Sequence, residues 1–98
     1  MSRFVVYQNP DGGYLLDVQA DLLSHLNTRI VVPLLVLEKA PQPAGTLNPL
    51  FQIRDDHCVM VTQFMAAVPA SLLKNEVVSL EGYRADIIAA IDLLMQGF

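Results

Sequence analysis

The residue types best suited to catalysis are two histidines, one cysteine and a pair of aspartates. His57 and Cys58 are adjacent, and a Cys–His catalytic pair requires both side chains to converge on one point. Successive residues of a β-strand point to opposite faces of the sheet, so we interpret Cys58 as a small buried hydrophobe beside an exposed imidazole. His25 lies in a predicted loop, and Asp55-Asp56 is typical of a solvated hairpin turn.

No phosphate-binding loop, zinc-ligand spacing or nucleophile elbow occurs in the sequence. The residues therefore predict no active site, no metal and no cofactor, and a function that depends on binding is the better expectation.

The last segment, LLMQGF (Leu93 to Phe98), is the strongest candidate for a contact surface. Gly97 stands where helices tend to end in a left-handed residue. Two interpretations of Phe98 remain open: it packs into the core, or it projects with the terminal carboxylate toward a partner. Both follow from apolar residues that recur at helical spacing, which are Ile87, Ile88, Ile91, Leu94, Met95 and Phe98.

The composition predicts one compact, soluble domain over residues 1–98. It is 53% hydrophobic and 16% charged, with a net charge of −4, which argues against disorder and against direct binding of nucleic acid. The single Cys58 fits a reducing cytoplasm. No signal peptide is recognised, and the longest apolar stretch is too short to span a membrane, so we expect a cytoplasmic protein.

Most of the chain is predicted to form strands. Arg3–Gln8 and Tyr14–Val18 flank NPDGG (Asn9 to Gly13), a strong turn signal, and should form a hairpin. Arg29–Leu37 is predicted as a long buried strand, at an edge or bulged at Pro33 because proline removes a ladder donor.

The second half continues this pattern and ends in a helix. Ser79 is a plausible N-cap, with Glu81 in the first turn. This order indicates a mainly β (α+β) fold, a small bent antiparallel sheet closed by one C-terminal helix. The other predicted segments are a loop at Lys39–Pro49, strands at Leu50–Arg54 and His57–Met65 around the Asp55-Asp56 turn, a bend or short helical turn at Ala66–Asn75, and a short strand at Glu76–Val78.

Six stretches cover almost the whole chain in the order and overall length of a known family, and they resemble the CcdB toxins of bacterial toxin–antitoxin modules. DVQAD, RIVVPL and VPASLL are individually modest motifs, but together with the others they form a strong signal. The matching stretches are FVVY (Phe4 to Tyr7), LLDVQADLL (Leu15 to Leu23), RIVVPL (Arg29 to Leu34), LNP (Leu47 to Pro49), MAAVPASLL (Met65 to Leu73) and DIIAAIDLLMQGF (Asp86 to Phe98).

The resemblance implies an SH3-like barrel with a C-terminal helix, assembled as a homodimer. It implies a toxin that is not an enzyme. Such a toxin binds the A subunit of DNA gyrase, a type II topoisomerase, and traps the cleaved DNA complex. It also implies that the toxin belongs to a plasmid-maintenance module, in which a CcdA-like antitoxin wraps the toxin and removes it from gyrase.

The resemblance also carries gyrase-contacting residues onto this chain. Gly97 matches the family pattern and Phe98 keeps an apolar terminus. Gln96 departs from it, because the family has tryptophan there and this chain has none. Asp92 places a charge where the best-known member is neutral. The implied gyrase-binding residues are Leu22, Leu23, Asp92, Met95, Gln96, Gly97 and Phe98.

Two alternatives remain open. Gln96 favours a non-toxic or weakened relative that binds an antitoxin or acts as a co-repressor. An endoribonuclease like the MazF/Kid toxins, which are similar in fold to CcdB, needs a general base, a general acid and a cation around the scissile phosphate. Arg29, Arg54, His57 and Asp55-Asp56 could supply those residue types, although the acidic net charge disfavours this function.

Overall fold

Residues 2–97 are described by a computed structural model, in which seven β-strands precede one α-helix. Short 3₁₀ turns join many of these elements. The bounds are β1 Val5–Gln8, β2 Tyr14–Asp17, β3 Thr28–Val36, β4 Leu50–Ile53, β5 Asp56–Met60, β6 Ala66–Pro69, β7 Glu76–Ser79 and α1 Arg84–Gln96.

The strands form one antiparallel sheet in the order β4-β5-β3-β2-β1-β7, and β6 also pairs with β3. The sheet curves into a half-barrel that is left open between β4 and β7. The predicted mainly β fold, with an SH3-like barrel and one C-terminal helix, is confirmed.

The opening hairpin is confirmed at the predicted turn. Val6 pairs with Leu16 and Gln8 with Tyr14 across it. Gly13 has a φ of +71°, and a Cβ built there would lie 3.0 Å from the carbonyl oxygen of Leu34. Glycine is therefore required at Gly13 both by its backbone conformation and by the close approach of β3.

The expectation for Pro33 is wrong, because β3 is the most internal strand of the sheet. It pairs with β2 on one side and is shared between β6 and β5 on the other, through residues 28–31 and 34–36 respectively. The Pro33 carbonyl accepts a hydrogen bond from the Val61 N–H on that second side. The missing N–H of Pro33 therefore faces the gap between β6 and β5, where no ladder bond is lost.

The second hairpin is confirmed, but its turn lies one residue earlier than predicted. Arg54 and Asp55 form the turn, with a φ of +56° at Arg54. Asp56 instead begins β5, where its carboxylate accepts a hydrogen bond from the Tyr14 hydroxyl at 2.9 Å.

β5 also ends at Met60 rather than at Met65, and a 3₁₀ turn follows at Thr62–Phe64. The predicted bend at residues 66–75 contains β6, because those residues pair with the first half of β3. The short 3₁₀ turn Ala70–Leu72 that follows β6 agrees with the prediction, as does the strand β7.

The helix begins later than predicted. The Ser79 hydroxyl accepts a hydrogen bond from the Glu81 N–H at 3.2 Å, but Glu81 begins a 3₁₀ turn, Glu81–Tyr83, and α1 itself begins at Arg84 with Tyr83 at its N-cap. The expectation that Ser79 caps the α-helix is therefore wrong. The main core lies between the curved sheet and the first half of α1. Its buried members include Phe4, Val6, Leu16, Val32, Leu34, Ile53, Met60, Ile87 and Ala90.

Candidate functional site

The last two turns of α1, together with the C-cap residue Gly97, carry four of the residues named as a contact surface. Met95 is 64% exposed, Gln96 and Gly97 are exposed, and Asp92 is half-buried. Asp92 and Gln96 are four residues apart and therefore share one face of the helix. Phe98, the last residue of this predicted set, lies outside the described residues.

These turns are exposed because the helix leaves the core midway along its length. The buried residues of α1 are Ile87 and Ala90, in its first half. Leu94 and Met95 continue the same apolar stripe but face solvent. Periodicity alone therefore overestimates how much of the stripe belongs to the core.

The helix ends as the sequence predicts. Gly97 adopts a left-handed conformation with a φ of +80°, and its N–H donates a hydrogen bond to the Leu93 carbonyl at 3.0 Å. This geometry closes the last turn without a β-carbon.

Leu22 and Leu23 lie on a separate element, the 3₁₀ turn Asp21–Leu23. Leu22 is 87% exposed and Leu23 is 42% exposed. Single exposed leucines are common on protein surfaces, so this exposure makes the two side chains accessible to a partner, and it is the family resemblance that marks them as contacts. The principal packing partners of α1 do not include this turn, so the two groups of residues are positioned independently by the barrel.

A buried polar network positions the Asp21–Leu23 turn. Arg29 is fully buried and binds the Asp17 carboxylate through two hydrogen bonds, from Nε to Oδ2 and from Nη2 to Oδ1, both 2.9 Å long. Gln19 links this pair to the turn. Its backbone N–H donates to Asp17 Oδ1 at 3.1 Å and its carbonyl accepts from Arg29 Nη2 at 3.3 Å, while its side-chain Nε2 donates to the Leu23 carbonyl at 3.1 Å.

Burial and hydrogen bonding have opposite effects on the pKa of Asp17 in this network. Burial raises the pKa of the Asp17 carboxyl, while its hydrogen bonds to Arg29 and to the Gln19 N–H act in the opposite direction. Asp21 adds a longer contact of 3.7 Å to the Arg29 guanidinium and accepts a hydrogen bond from the Arg3 N–H. The turn is thus tied down from several directions.

The residues considered for ribonuclease chemistry do not form one site. Arg29 is enclosed in its ion pair with Asp17, so it cannot contact a phosphate group, and its assignment as a possible cation is wrong. Arg54 and His57 are exposed on the β4–β5 hairpin, where Arg54 donates a hydrogen bond to Gln8. Sequence reasoning failed at Arg29 because a lone arginine gives no sign of burial.

His57 and Cys58 behave as the sequence predicts. His57 is exposed, whereas Cys58 is fully buried. Burial, reinforced by the charges of Asp56 and Glu38, raises the pKa of the Cys58 thiol to about 11. The thiolate is the nucleophilic form of cysteine, so this thiol is inert at neutral pH.

We expect iodoacetamide to alkylate Cys58 very slowly at pH 8 in the folded protein, and faster only as the pH rises above 10. In urea the thiol regains its ordinary pKa near 9.0 and should react readily at pH 8. Mass spectrometry of the alkylated fraction over time measures this difference. Equal rates with and without urea would contradict the burial of Cys58.

The described part of the chain offers no further site for chemistry of this kind. Within residues 2–97, no three His, Cys, Asp or Glu side chains lie close enough together to hold a metal ion. In the same range, no helix combines the length and apolar character needed to cross a membrane.

Sequence reasoning missed a cleft beside the open edge of the sheet. A cavity of about 320 Å³ lies between β4 and the start of α1, and its lining includes Leu50, Phe51, Tyr83 and Asp86. The exposed apolar residues Leu50 and Tyr83 belong to a strand and a 3₁₀ turn far apart in sequence. Only the curvature of the sheet and the position of α1 bring them together.

Comparisons with known proteins agree with this architecture. Among solved structures, the chain is similar to an endoribonuclease in complex with its cognate antitoxin from Mycobacterial species, with 13% sequence identity and a TM-score of 0.77. The match covers 97% of this chain and 94% of that chain. At this identity the likeness shows the fold alone.

Sequence comparison identifies the family. A family model described as CcdB protein matches residues 3–97. This range contains the whole of five of the six stretches that resemble the family, and it contains the sixth as far as Gly97. The chain therefore belongs to the CcdB family of toxin–antitoxin toxins.

Proposed function

We propose that this chain poisons DNA gyrase by binding its A subunit and trapping the cleaved DNA complex, and that a CcdA-like antitoxin neutralises it. The observation that carries the proposal is the exposure of the family's contact positions in a member of that family. Leu22 and Met95 are apolar side chains held in solvent on ordered elements, as a preformed binding surface requires. The proposed place of action is the bacterial cytoplasm.

The geometry supports binding rather than catalysis. A helix end fixed on a barrel loses little conformational entropy when it docks. In the proposed homodimer, two copies of this surface would meet a two-fold-symmetric target together. Gly97, with open space around its α-carbon, lets a partner approach the backbone closely. The proposed toxin therefore needs no catalytic group of its own.

The identity of residue Gln96 bears on how tightly the chain should bind gyrase. Tryptophan is the residue type most enriched at interface hot spots, and its truncation typically costs about 2 kcal/mol or more. The glutamine of this chain therefore favours weaker gyrase binding than the family pattern implies. The same observation supports the alternative function, a CcdB relative that binds an antitoxin or acts as a co-repressor without toxicity.

An endoribonuclease is a second alternative, favoured only by the likeness in fold to the mycobacterial structure. The burial of Arg29 removes one of the cations that such a reaction needs. Incubating the purified protein with RNA and mapping cleaved ends tests this activity separately from gyrase binding.

We expect Leu22→Asp to weaken binding to the gyrase A subunit at least tenfold, because it places an unpaired carboxylate in an apolar contact. The free energy of unfolding should change by no more than about 0.5 kcal/mol, since the side chain is 87% exposed. Isothermal titration calorimetry and urea denaturation measure the two effects.

Leu26→Asp is the matched control, since Leu26 is 42% exposed in the adjoining part of the same loop and is not a proposed contact. It should leave binding unchanged. Equal losses for both variants would indicate a general effect of added negative charge and would contradict the assignment of Leu22.

A further inference from the structure

The outer edge of β4 offers unpaired backbone groups. The Met60 N–H donates to the Pro49 carbonyl, and the register pairs Phe51 with Cys58. Hydrogen-bonded and non-hydrogen-bonded pairs alternate along an antiparallel ladder. The N–H and C=O groups of Leu50 and Gln52 therefore point away from β5, and among residues 2–97 they have no hydrogen-bond partner in the backbone.

The cleft described above runs along this edge. The lining of the cleft includes Phe51. The ring of Phe51 packs edge-to-face against that of Tyr83, with 5.3 Å between the ring centroids. A smaller hollow of about 110 Å³ extends the cleft between Gln52 and Leu80. The edge that can pair with another strand thus faces apolar and aromatic side chains that can receive the strand's inward-pointing residues.

Asp86 gives the cleft its charge. It is the one charged residue in the lining of the larger cavity, and it is exposed in the first turn of α1. A second copy of this acidic chain, with a net charge of −4, is a poor match for that carboxylate. A peptide that carries a lysine or arginine beside an apolar residue is a better match.

We propose that the cleft binds an extended segment of the antitoxin as an added β-strand along β4. The segment pairs with the backbone of Leu50 and Gln52, inserts an apolar side chain beside Tyr83, and places a basic side chain near Asp86. This inference rests on the proposed antitoxin partnership. The cleft lies on the β4 edge and the start of α1, whereas the proposed gyrase contacts lie at the end of α1 and on the Asp21–Leu23 turn.

A pair of variants at Gln52 tests the backbone pairing. Gln52→Pro removes the outward N–H, and proline is tolerated on an edge strand when its N–H would face solvent. Gln52→Ala removes the side chain but keeps the N–H. With the purified cognate CcdA-like antitoxin as the probe, we expect the proline variant to bind at least tenfold more weakly than the alanine variant. Calorimetry measures both affinities, and circular dichroism monitors the fold.

Amide hydrogen exchange in the unmodified protein provides a second readout that does not depend on either variant. Antitoxin binding should protect the amides of Leu50 and Gln52 from exchange. Asp86→Asn should weaken binding and reduce its dependence on salt concentration.

Three results would overturn the inference: equal binding by the two Gln52 variants, no protection of those amides in the complex, or protection confined to the end of α1. In each case the antitoxin still binds, so the proposed function survives. Failure of the unmodified chain to bind the antitoxin at all contradicts the proposed partnership itself, and with it this use of the cleft.

Discussion

Replacing Gln96 with tryptophan is expected to tighten binding to the gyrase A subunit about thirtyfold, because it restores a side chain whose removal typically costs about 2 kcal/mol or more at an interface. Gln96 is exposed in the last turn of α1, so the new ring adds contact area without disturbing the core. Calorimetric titration measures the gain. Growth arrest after expression without the antitoxin measures its biological consequence, both alone and combined with Phe98→Ile.

Ala85→Trp is the matched control, since it adds the same ring to an exposed position at the other end of α1. It should not change affinity for gyrase. A similar gain from both variants would indicate nonspecific stickiness. No gain from Gln96→Trp would show that the end of the helix is not the limiting part of the interface, and would favour the non-toxic antitoxin-binding alternative.

Replacing Arg29 with methionine is expected to lower the free energy of unfolding by about 3–5 kcal/mol, because it leaves the Asp17 carboxylate buried without its partner. Both side chains of this pair are completely buried, so solvent cannot compensate the charge. Urea denaturation followed by circular dichroism measures the loss. A protein of marginal stability could be largely unfolded by a change of this size.

The exposed pair Arg84–Glu81 provides the comparison. Arg84 Nη1 and Glu81 Oε1 are 3.1 Å apart, but both side chains are more than half exposed. Arg84→Met should therefore lower the free energy of unfolding by less than about 1 kcal/mol. The double variant Asp17→Leu with Arg29→Met should recover much of the stability lost by Arg29→Met, because it removes both charges together. Equal costs for the two arginine substitutions would contradict the burial of the Asp17–Arg29 pair.

Local backbone structure was predictable from the sequence where one short segment determines it. The NPDGG turn predicts the first hairpin because Gly13 must adopt a positive φ beneath β3. Gly97 likewise predicts the end of α1, since a left-handed C-cap depends only on its own backbone. These features need no information about distant strands.

Features decided by tertiary pairing were not predictable in the same way. Pro33 was expected at an edge or a bulge, yet it lies where β5 and β6 meet opposite β3. β6 itself was missed because its strand conformation depends on pairing with Thr28–Val31. Local propensity is a weak predictor where partners far along the chain decide the conformation.

The candidate site shows the same division. The resemblance located Leu22 and the end of α1, but only the structure gives the exposure of Leu22 and Met95. The buried role of Arg29 and the cleft along β4 had no sequence signal, because both arise from the curvature of the sheet. Sequence reasoning identified the residues, and the fold determined which of them a partner can reach.

The most direct test of the proposed mechanism is DNA cleavage by gyrase in the presence of the purified chain, residues 1–98. Supercoiled plasmid, gyrase and ATP are incubated with increasing protein, and linear DNA is measured after the gyrase is denatured and digested. The proposed function predicts that linear DNA accumulates as the protein concentration rises. It also predicts that the isolated gyrase A subunit is sufficient to bind the protein, and that RNA incubated with the protein stays intact. Absence of both linear DNA and A-subunit binding at saturating protein, or sequence-specific cutting of the RNA, would contradict it.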